Sequence, residues 1–147
     1  MYLEEFFSYI KSEKRFSDYT IISYTTDLNQ FTKFLKEEYD ITDQSKASFK
    51  IIRNWVSILV ESGLKSNSVN RKISSLKTFY KFLTIYNYLN SNPTLKLLSP
   101  KSSKRLPVFI EKENMNNLFD SNFFDNSFCG RRDKLIIELF YFTGMRL

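Results

Sequence analysis

SNSVNRKISSLKTFYKFL, residues 66–83, is the stretch of sequence that decides the fold. Ser66 is predicted as the N-cap of a helix that extends to about Leu89, since no Gly or Pro interrupts this stretch. Its apolar residues recur at spacings of four, three, four and three, which is one face of an α-helix: Val69, Ile73, Leu76, Tyr80 and Leu83. We expect this face to lie in the core of a helical domain.

The polar residues of the same helix share a roughly 120° arc beside the apolar stripe. They are Asn67, Asn70, Arg71, Ser74, Lys77, Thr78 and Lys81. Arginine and lysine bind phosphates or guanine edges, and asparagine pairs with adenine, so this face suits the major groove of DNA. An ordinary solvated helix face is the competing interpretation, although such a face usually mixes both signs of charge.

The charge of the chain is concentrated around this helix. From Ser62 to Ile110 there are nine basic residues and no Asp or Glu. The whole chain carries +6, so the remainder sums to −3, from thirteen basic and sixteen acidic residues. Such a concentration predicts a surface that binds a polyanion, which we interpret as double-stranded DNA.

Composition excludes several kinds of chemistry. The chain has no histidine, which removes histidine acid–base catalysis and the ordinary zinc sites. One cysteine, Cys129, cannot form an intramolecular disulfide, and the acidic N-terminus does not resemble a signal peptide. No apolar run approaches the length of a membrane span. We therefore predict a cytoplasmic protein with no cofactor, no metal and no membrane partner.

Four amphipathic helices are predicted in a first domain, residues 1–90. The first carries Leu3, Phe6, Phe7 and Ile10, and Ser17 caps the second, whose polar side includes Thr20 and Ser23. Ser48 caps the third helix, and Gly63 ends it before the basic fourth helix. Four such helices with short connections predict a compact, all-α domain.

The remainder of the chain is predicted to be a linker followed by part of a second domain. Residues 91–108 hold three prolines and the cations Lys101, Lys104 and Arg105, which predicts an extended basic linker. In residues 109–147 we expect a short helix from Glu111 to about Ser121, then a largely apolar one. That last helix is predicted to be a buried core helix of an incomplete domain, on its apolar residues Leu135, Ile136, Leu139, Phe140 and Phe142.

The order of these segments resembles the tyrosine recombinase (phage integrase) family. SDYTIISYTTDLNQF at 17–31 is similar to the second helix of its core-binding domain, and residues 66–83 to its fourth. The KRLP run at 104–107 resembles the Xer-type linker. RDKLIIELFYFTGMRL at 132–147 is similar to the first segment of the catalytic domain.

The resemblance implies a SAM-like helical domain that clamps DNA, with its second and fourth helices in or near the major groove. It implies that Arg146 is the first catalytic arginine, which binds the scissile phosphate. The implied whole protein rejoins DNA through a 3′-phosphotyrosyl bond, as four protomers on paired sites. The predicted DNA-binding residues are Thr20, Ser23, Asn67, Asn70, Arg71, Lys72, Ser74, Lys77, Thr78, Lys81, Lys101, Lys104 and Arg105.

This chain departs from the family pattern beyond Arg146. The hairpin lysine, the His-x-x-Arg segment and the nucleophilic tyrosine are all missing, so we expect the chain itself to be inactive. Two alternatives remain open at this stage. One is a non-catalytic DNA-binding regulator with the same helical clamp. The other is a helical module whose basic face binds an acidic protein.

Overall fold

A computed structural model describes residues 2–101, 106–120 and 123–146 of the chain. Within these ranges the regular structure is entirely helical, as predicted, with no strand. The helices are α1 Tyr2–Ser12, α2 Asp18–Tyr39, α3 Phe49–Glu61, α4 Ser66–Ile85, α5 Lys112–Asp120 and α6 Phe128–Thr143, with a 3-10 turn at Gln44–Lys46. The chain divides into two compact units, Met1–Ser103 and Lys104–Leu147, called unit 1 and unit 2 below.

The predicted helix starts in unit 1 are correct to within one residue. Ser17 caps α2, its side chain accepting a hydrogen bond from the Thr20 amide, and Ser48 precedes α3. The prediction for α4 was one residue late at its start and wrong at its end. Its N-cap is Lys65 rather than Ser66, and it ends at Ile85 rather than near Leu89. The helix stops early because Asn87 adopts a left-handed conformation, with a φ of 60°.

Helix α4 is the centre of unit 1, packing against α1, α2 and α3. All five residues of its predicted apolar stripe are buried. Aromatic rings pack between the helices of this core. Phe6 of α1 contacts Phe79 of α4 edge-on, and Phe31 of α2 contacts Trp55 of α3. Each such side chain stabilises the fold by about 1.5–3 kcal/mol relative to an exposed position. One continuous core therefore fixes the position of α4.

Two segments outside the α-helices also join this core: the 3-10 turn at Gln44–Lys46 and residues 92–97. In the first, Gln44 is buried, and its backbone carbonyl oxygen accepts a hydrogen bond of 2.7 Å from the Tyr80 hydroxyl. Burial raises the pKa of Tyr80 well above its ordinary value. In the second, Thr94 and Leu97 are buried, and Asn92 Oδ1 accepts hydrogen bonds from both the amide and the hydroxyl of Thr94. The chain thus remains packed on unit 1 through Leu97.

Unit 2 contains α5 and α6. Met115 and Phe119 of α5 are buried, whereas no residue of α6 is. The apolar residues of α6 are accessible in this chain: Leu135 is 63% exposed and Phe142 is 74% exposed. The burial of this helix in a complete domain stays a prediction. Among the described residues of this unit, the nine-residue α5 is the one other helix present, and it is too short to cover an apolar surface of this size.

Candidate nucleic-acid interface

An ionic cluster joins α2 to α4 below the polar face of α4. Asp27 of α2 is fully buried, and its two carboxylate oxygens bind different cations of α4. Arg71 Nη1 lies 2.6 Å from Oδ2, and Lys72 Nζ lies 2.9 Å from Oδ1. Lys72 Nζ also donates a hydrogen bond to Gln30 Oε1. The two helices predicted to reach DNA are therefore held together by charge as well as by apolar contact.

Lys72 is not available as a surface lysine. It is 5% exposed, and its ammonium is bound to Asp27 and Gln30 in the interior. Lys72 is among the residues predicted from the sequence to bind DNA. The structure corrects that placement: a buried ammonium bound to a carboxylate does not reach a phosphate. Lys72 instead helps to neutralise Asp27.

The remaining predicted face of α4 is accessible. Asn67, Arg71, Ser74 and Lys81 are exposed, whereas Asn70, Lys77 and Thr78 are half-buried. Ser74 and Thr78 donate their hydroxyl hydrogens to carbonyl oxygens four residues earlier in the helix. Their hydroxyl oxygens remain acceptors, but the side chains are held against the helix. Arg71, Lys77 and Lys81 are thus the extended cationic groups of this face.

On α2, the predicted residues Thr20 and Ser23 are both half-buried. The Thr20 hydroxyl lies 3.0 Å from that of Ser17, in the N-cap of the helix. Ser23 contacts α4 through its backbone, where its carbonyl oxygen accepts a hydrogen bond from Arg71 Nη1 at 3.2 Å. The start of α2 and the first half of α4 therefore lie side by side, which brings the two predicted sets of residues together.

Asn70 connects the face of α4 to the segment that follows unit 1's core. Its side-chain nitrogen donates a hydrogen bond of 3.0 Å to the carbonyl oxygen of Pro100. Its side-chain oxygen is buried and has no hydrogen-bond partner among the described residues. The contact brings Pro100, and with it the exposed Lys101, beside α4. The other two predicted linker cations, Lys104 and Arg105, lie outside the described residues.

A cleft beside α4 adds Lys14, which is not among the residues predicted from the sequence. It has a volume of about 280 Å³ and is lined by Lys14, Lys77 and Lys81 together with Tyr9, Phe16 and Phe82. Lys14 comes from the turn between α1 and α2, with its Nζ 5.6 Å from the centre of the Tyr9 ring. The signal was present as the pair Lys14-Arg15, but the neighbouring Glu13 made that segment look like a mixed-charge surface.

Glu13 does not share this cleft. Its Oε1 accepts a hydrogen bond of 2.9 Å from the Tyr86 hydroxyl, and this bond raises the pKa of Tyr86. Glu13 lines a different cavity, together with Tyr86 and Tyr88. The cleft with Lys14 therefore contains three lysines and no acidic residue. Its aromatic walls and like-charged lysines suit a phosphate group.

A larger cleft of about 540 Å³ lies between α3 and residues 96–98. It carries charges of both signs, with Arg53 and Lys96 opposed by Glu61, and its other walls are mainly apolar. Mixed charge does not attract a polyanion as the Lys14 cleft does. We therefore assign the candidate interface to the exposed polar face of α4 and the adjoining cleft, and call the two together the α4 surface.

In unit 2, Arg146 is exposed and follows the end of α6. Gly144 closes that helix in a left-handed conformation, with a φ of 63°, and its amide donates a hydrogen bond to the Phe140 carbonyl.

Across the described part of the chain, no group of acidic or cysteine side chains could hold a metal ion. Within the same residues, no helix has the length and hydrophobicity needed to cross a membrane.

Comparison with known proteins identifies relatives along nearly the whole chain. The tyrosine recombinase XerC of Staphylococcus epidermidis is 42% identical over 144 residues, covering 98% of this chain and 48% of that protein. XerC of Oceanobacillus iheyensis is 36% identical over 147 residues, covering 100% of this chain and 48% of its own length. The chain thus spans about half the length of the curated relatives it matches. No solved structure matches it.

The family described as phage integrase, N-terminal SAM-like domain, matches residues 3–86. This range contains α1 to α4 and therefore the α4 surface. The match spans more than half of the chain, and it agrees with the helical fold of unit 1. The chain belongs to the phage integrase N-terminal SAM-like domain family, as its sequence resemblance indicated.

Proposed function

We propose that this chain is the DNA-binding part of a site-specific tyrosine recombinase. The observation that carries the proposal is the α4 surface, where Arg71, Lys77, Lys81 and Lys14 are present without an accessible acidic residue among them. Asp27, the acidic group beneath, is fully buried and bound to two cations. The net field of this surface is positive, as binding to the phosphates of duplex DNA requires.

Recognition combines two kinds of contact on this surface. Lys77, Lys81 and Lys14 bind phosphates and set the orientation of the helix on the duplex. Asn67, near the start of α4, contacts base edges in the major groove, and Arg71 beside it binds a guanine edge or a phosphate. Lys101, held beside α4 through the Pro100 contact, extends the phosphate contacts along the backbone, and Lys104 and Arg105 continue them.

The reaction of the whole recombinase involves unit 2. There, Arg146 binds the scissile phosphate, and its planar guanidinium donates two hydrogen bonds to the oxygens of the pentacovalent transition state. The nucleophilic tyrosine that forms the 3′-phosphotyrosyl bond is supplied by sequence outside this chain. Four protomers assemble on two DNA sites in the cytoplasm, and no metal or nucleotide cofactor takes part.

Charge reversal on the α4 surface tests the DNA-binding proposal. Lys14, Lys77 and Lys81 are changed together to Glu, and binding to a fluorescent duplex of random sequence is measured by anisotropy. We expect affinity to fall by about a hundredfold, since three phosphate contacts become repulsive. Circular dichroism checks that helix content is retained.

A matched control distinguishes a loss of affinity caused by changing this surface from one caused by the change in net charge alone. Changing Lys36, Lys46 and Lys50 to Glu alters the charge by the same amount at exposed positions outside α4 and the cleft. We expect that variant to lose less than about threefold in affinity. Equal losses in both variants would reject the α4 surface as the binding site. A wild-type chain that binds an acidic protein but no duplex would favour the helical interaction module.

A further inference from the structure

The buried carboxylate of Asp27 has a placement that the proposed function does not by itself require. A carboxylate with no exposed surface must give up its hydration, and the attraction of its partners often does no more than offset that cost. Apolar residues at positions 27 and 72 would pack the two helices without any such cost. The cluster nevertheless lies directly below the proposed DNA-binding face, in contact with Arg71, an exposed member of it.

The hydrogen bonds of Arg71 all leave from one end of its guanidinium. Nη1 donates one hydrogen to Asp27 Oδ2 at 2.6 Å and the other to the carbonyl oxygen of Ser23 at 3.2 Å. Both hydrogens of Nη1 are thereby used. Among the described residues, Nε and Nη2 make no hydrogen bond, and 42% of the side chain is exposed. The guanidinium is therefore anchored at one corner, with its Nε–Nη2 edge available.

We infer that Asp27 is a positioning residue: it fixes Arg71 so that the Nε–Nη2 edge binds a pair of acceptor oxygens or nitrogens on duplex DNA. Two such acceptors occur as O6 and N7 of a guanine and as two oxygens of one phosphate. The inference rests on the proposed function, which it deepens by naming the contact and the group that orients it. Lys72 neutralises the second oxygen of Asp27, so the cluster keeps a net positive charge.

The inference predicts an effect opposite in sign to simple electrostatics. A carboxylate near a DNA-binding face repels phosphates, so its removal alone would strengthen binding. If Asp27 instead orients Arg71, its removal weakens binding because the freed side chain must be ordered on each encounter. The sign of the change therefore distinguishes an orienting role from a charge effect.

The test uses a variant that conserves net charge. Asp27→Asn alone would leave the buried Lys72 ammonium without a carboxylate to neutralise it, which would oppose folding. Asp27→Asn combined with Lys72→Met removes one charge of each sign, preserves side-chain volume and leaves Arg71 untethered. Lys72→Met alone is the control, since it retains the Asp27–Arg71 pair. Affinity for a random-sequence duplex is measured for each, with and without Arg71→Lys, which keeps a cation beside Asp27 but has no Nε–Nη2 edge.

We expect the double variant to bind about fivefold more weakly than the Lys72→Met control. We expect Arg71→Ala to weaken binding about tenfold. In the Arg71→Lys background, the further effect of Asp27→Asn should disappear, because a lysine has no two-donor edge for Asp27 to orient. Effects that simply add, or tighter binding after loss of Asp27, would overturn the inference. A purely structural role would leave the effect of Asp27→Asn unchanged in both backgrounds.

Two duplex probes identify the DNA group that Arg71 binds. If it binds guanine, Arg71→Ala weakens binding to duplexes enriched from a random pool more than to unselected ones. If it binds phosphate, Arg71→Ala lowers the affinity for both duplexes by the same factor. Either result supports the orienting role of Asp27 when the coupling between Asp27 and Arg71 is also observed. A wild-type chain that binds neither probe would reject the proposed function itself. Wild-type binding without coupling would reject only the inference.

Discussion

Units 1 and 2 have similar helical patterns but opposite degrees of burial. In α4 the apolar stripe is buried to the last residue, and even a lysine is enclosed. In α6 the sequence is more continuously apolar, yet no residue is buried. The difference lies in the partners within each unit: α4 packs against three helices, whereas the described part of unit 2 offers α6 only the short α5. Hydrophobicity thus predicts which residues can be buried, and only the surrounding elements determine whether they are.

The largest expected effect concerns chemistry in unit 2. In a longer recombinase that continues this chain, Arg146→Ala should lower the DNA cleavage rate about a thousandfold, or about 4 kcal/mol, because a transition-state contact is lost. Affinity should fall only about tenfold, since most contacts come from unit 1. Trapping of the phosphotyrosyl intermediate on a nicked substrate gives the rate, and a gel shift gives the affinity.

Two controls sharpen that result. Arg146→Lys should recover little activity, because an ammonium cannot donate the paired hydrogen bonds of a guanidinium. Arg131→Ala removes another exposed arginine of unit 2 and should leave cleavage nearly unchanged. Cleavage by the Arg146→Ala protein at close to the normal rate would contradict the proposed division between recognition and chemistry.

A matched pair of leucines tests the difference in burial directly. Leu76→Ala in α4 should lower the free energy of unfolding by about 3 kcal/mol, since a fully buried side chain leaves a cavity. Leu139→Ala in α6, where the leucine is 47% exposed, should cost less than about 1 kcal/mol. Urea unfolding followed by circular dichroism at 222 nm, a wavelength that reports helix content, measures both. Equal losses would show that α6 is as well packed as α4.

A smaller effect than that of Leu76→Ala is expected for the buried hydroxyl of Tyr80. Tyr80→Phe should lower the free energy of unfolding by about 1 kcal/mol, because the buried Gln44 carbonyl loses its donor. Burial raises the pKa of Tyr80 in the folded state, so at high pH the hydroxyl ionises in the unfolded chain before it ionises in the folded one. That ionisation stabilises the unfolded chain. Stability should therefore fall as pH rises above about 10, and this fall should be shallower in Tyr80→Phe. Identical pH profiles would argue against burial of this hydroxyl.

The helices of unit 1 could be predicted because their apolar spacing matches the helical period and Ser17 and Ser48 mark their starts. The Asp27–Lys72 pair could not, since sequence patterns assign charged residues to the surface. Only the packing of α4 on three sides places position 72 inside, where the carboxylate from α2 meets it. The end of α4 was missed for a related reason: the apolar pattern continues through Leu89, but Asn87 turns the chain away.

The candidate site shows the same limits. The exposed cations of α4 followed from the helical arc, whereas Lys14 belongs to a different segment and joins them only through the packing of α1. In the sequence, the adjacent Glu13 makes the segment around Lys14 look mixed in charge. In the structure, Glu13 accepts a hydrogen bond from Tyr86 and lines a different cavity. Asp27 contacts a residue of this surface and Glu13 adjoins Lys14 in sequence, and both carboxylates bind other side chains. That arrangement depends on contacts between distant residues, which no local pattern reveals.

The salt dependence of DNA binding tests the central claim most directly. The affinity of the whole chain for a fluorescent random-sequence duplex is measured across a range of potassium chloride concentrations. If the α4 surface and Lys101 neutralise about five phosphates, the logarithm of the association constant should fall against that of salt concentration with a slope of roughly −4 to −5. A slope near zero, or no binding even at low salt, would contradict the claim that unit 1 binds duplex DNA through this surface.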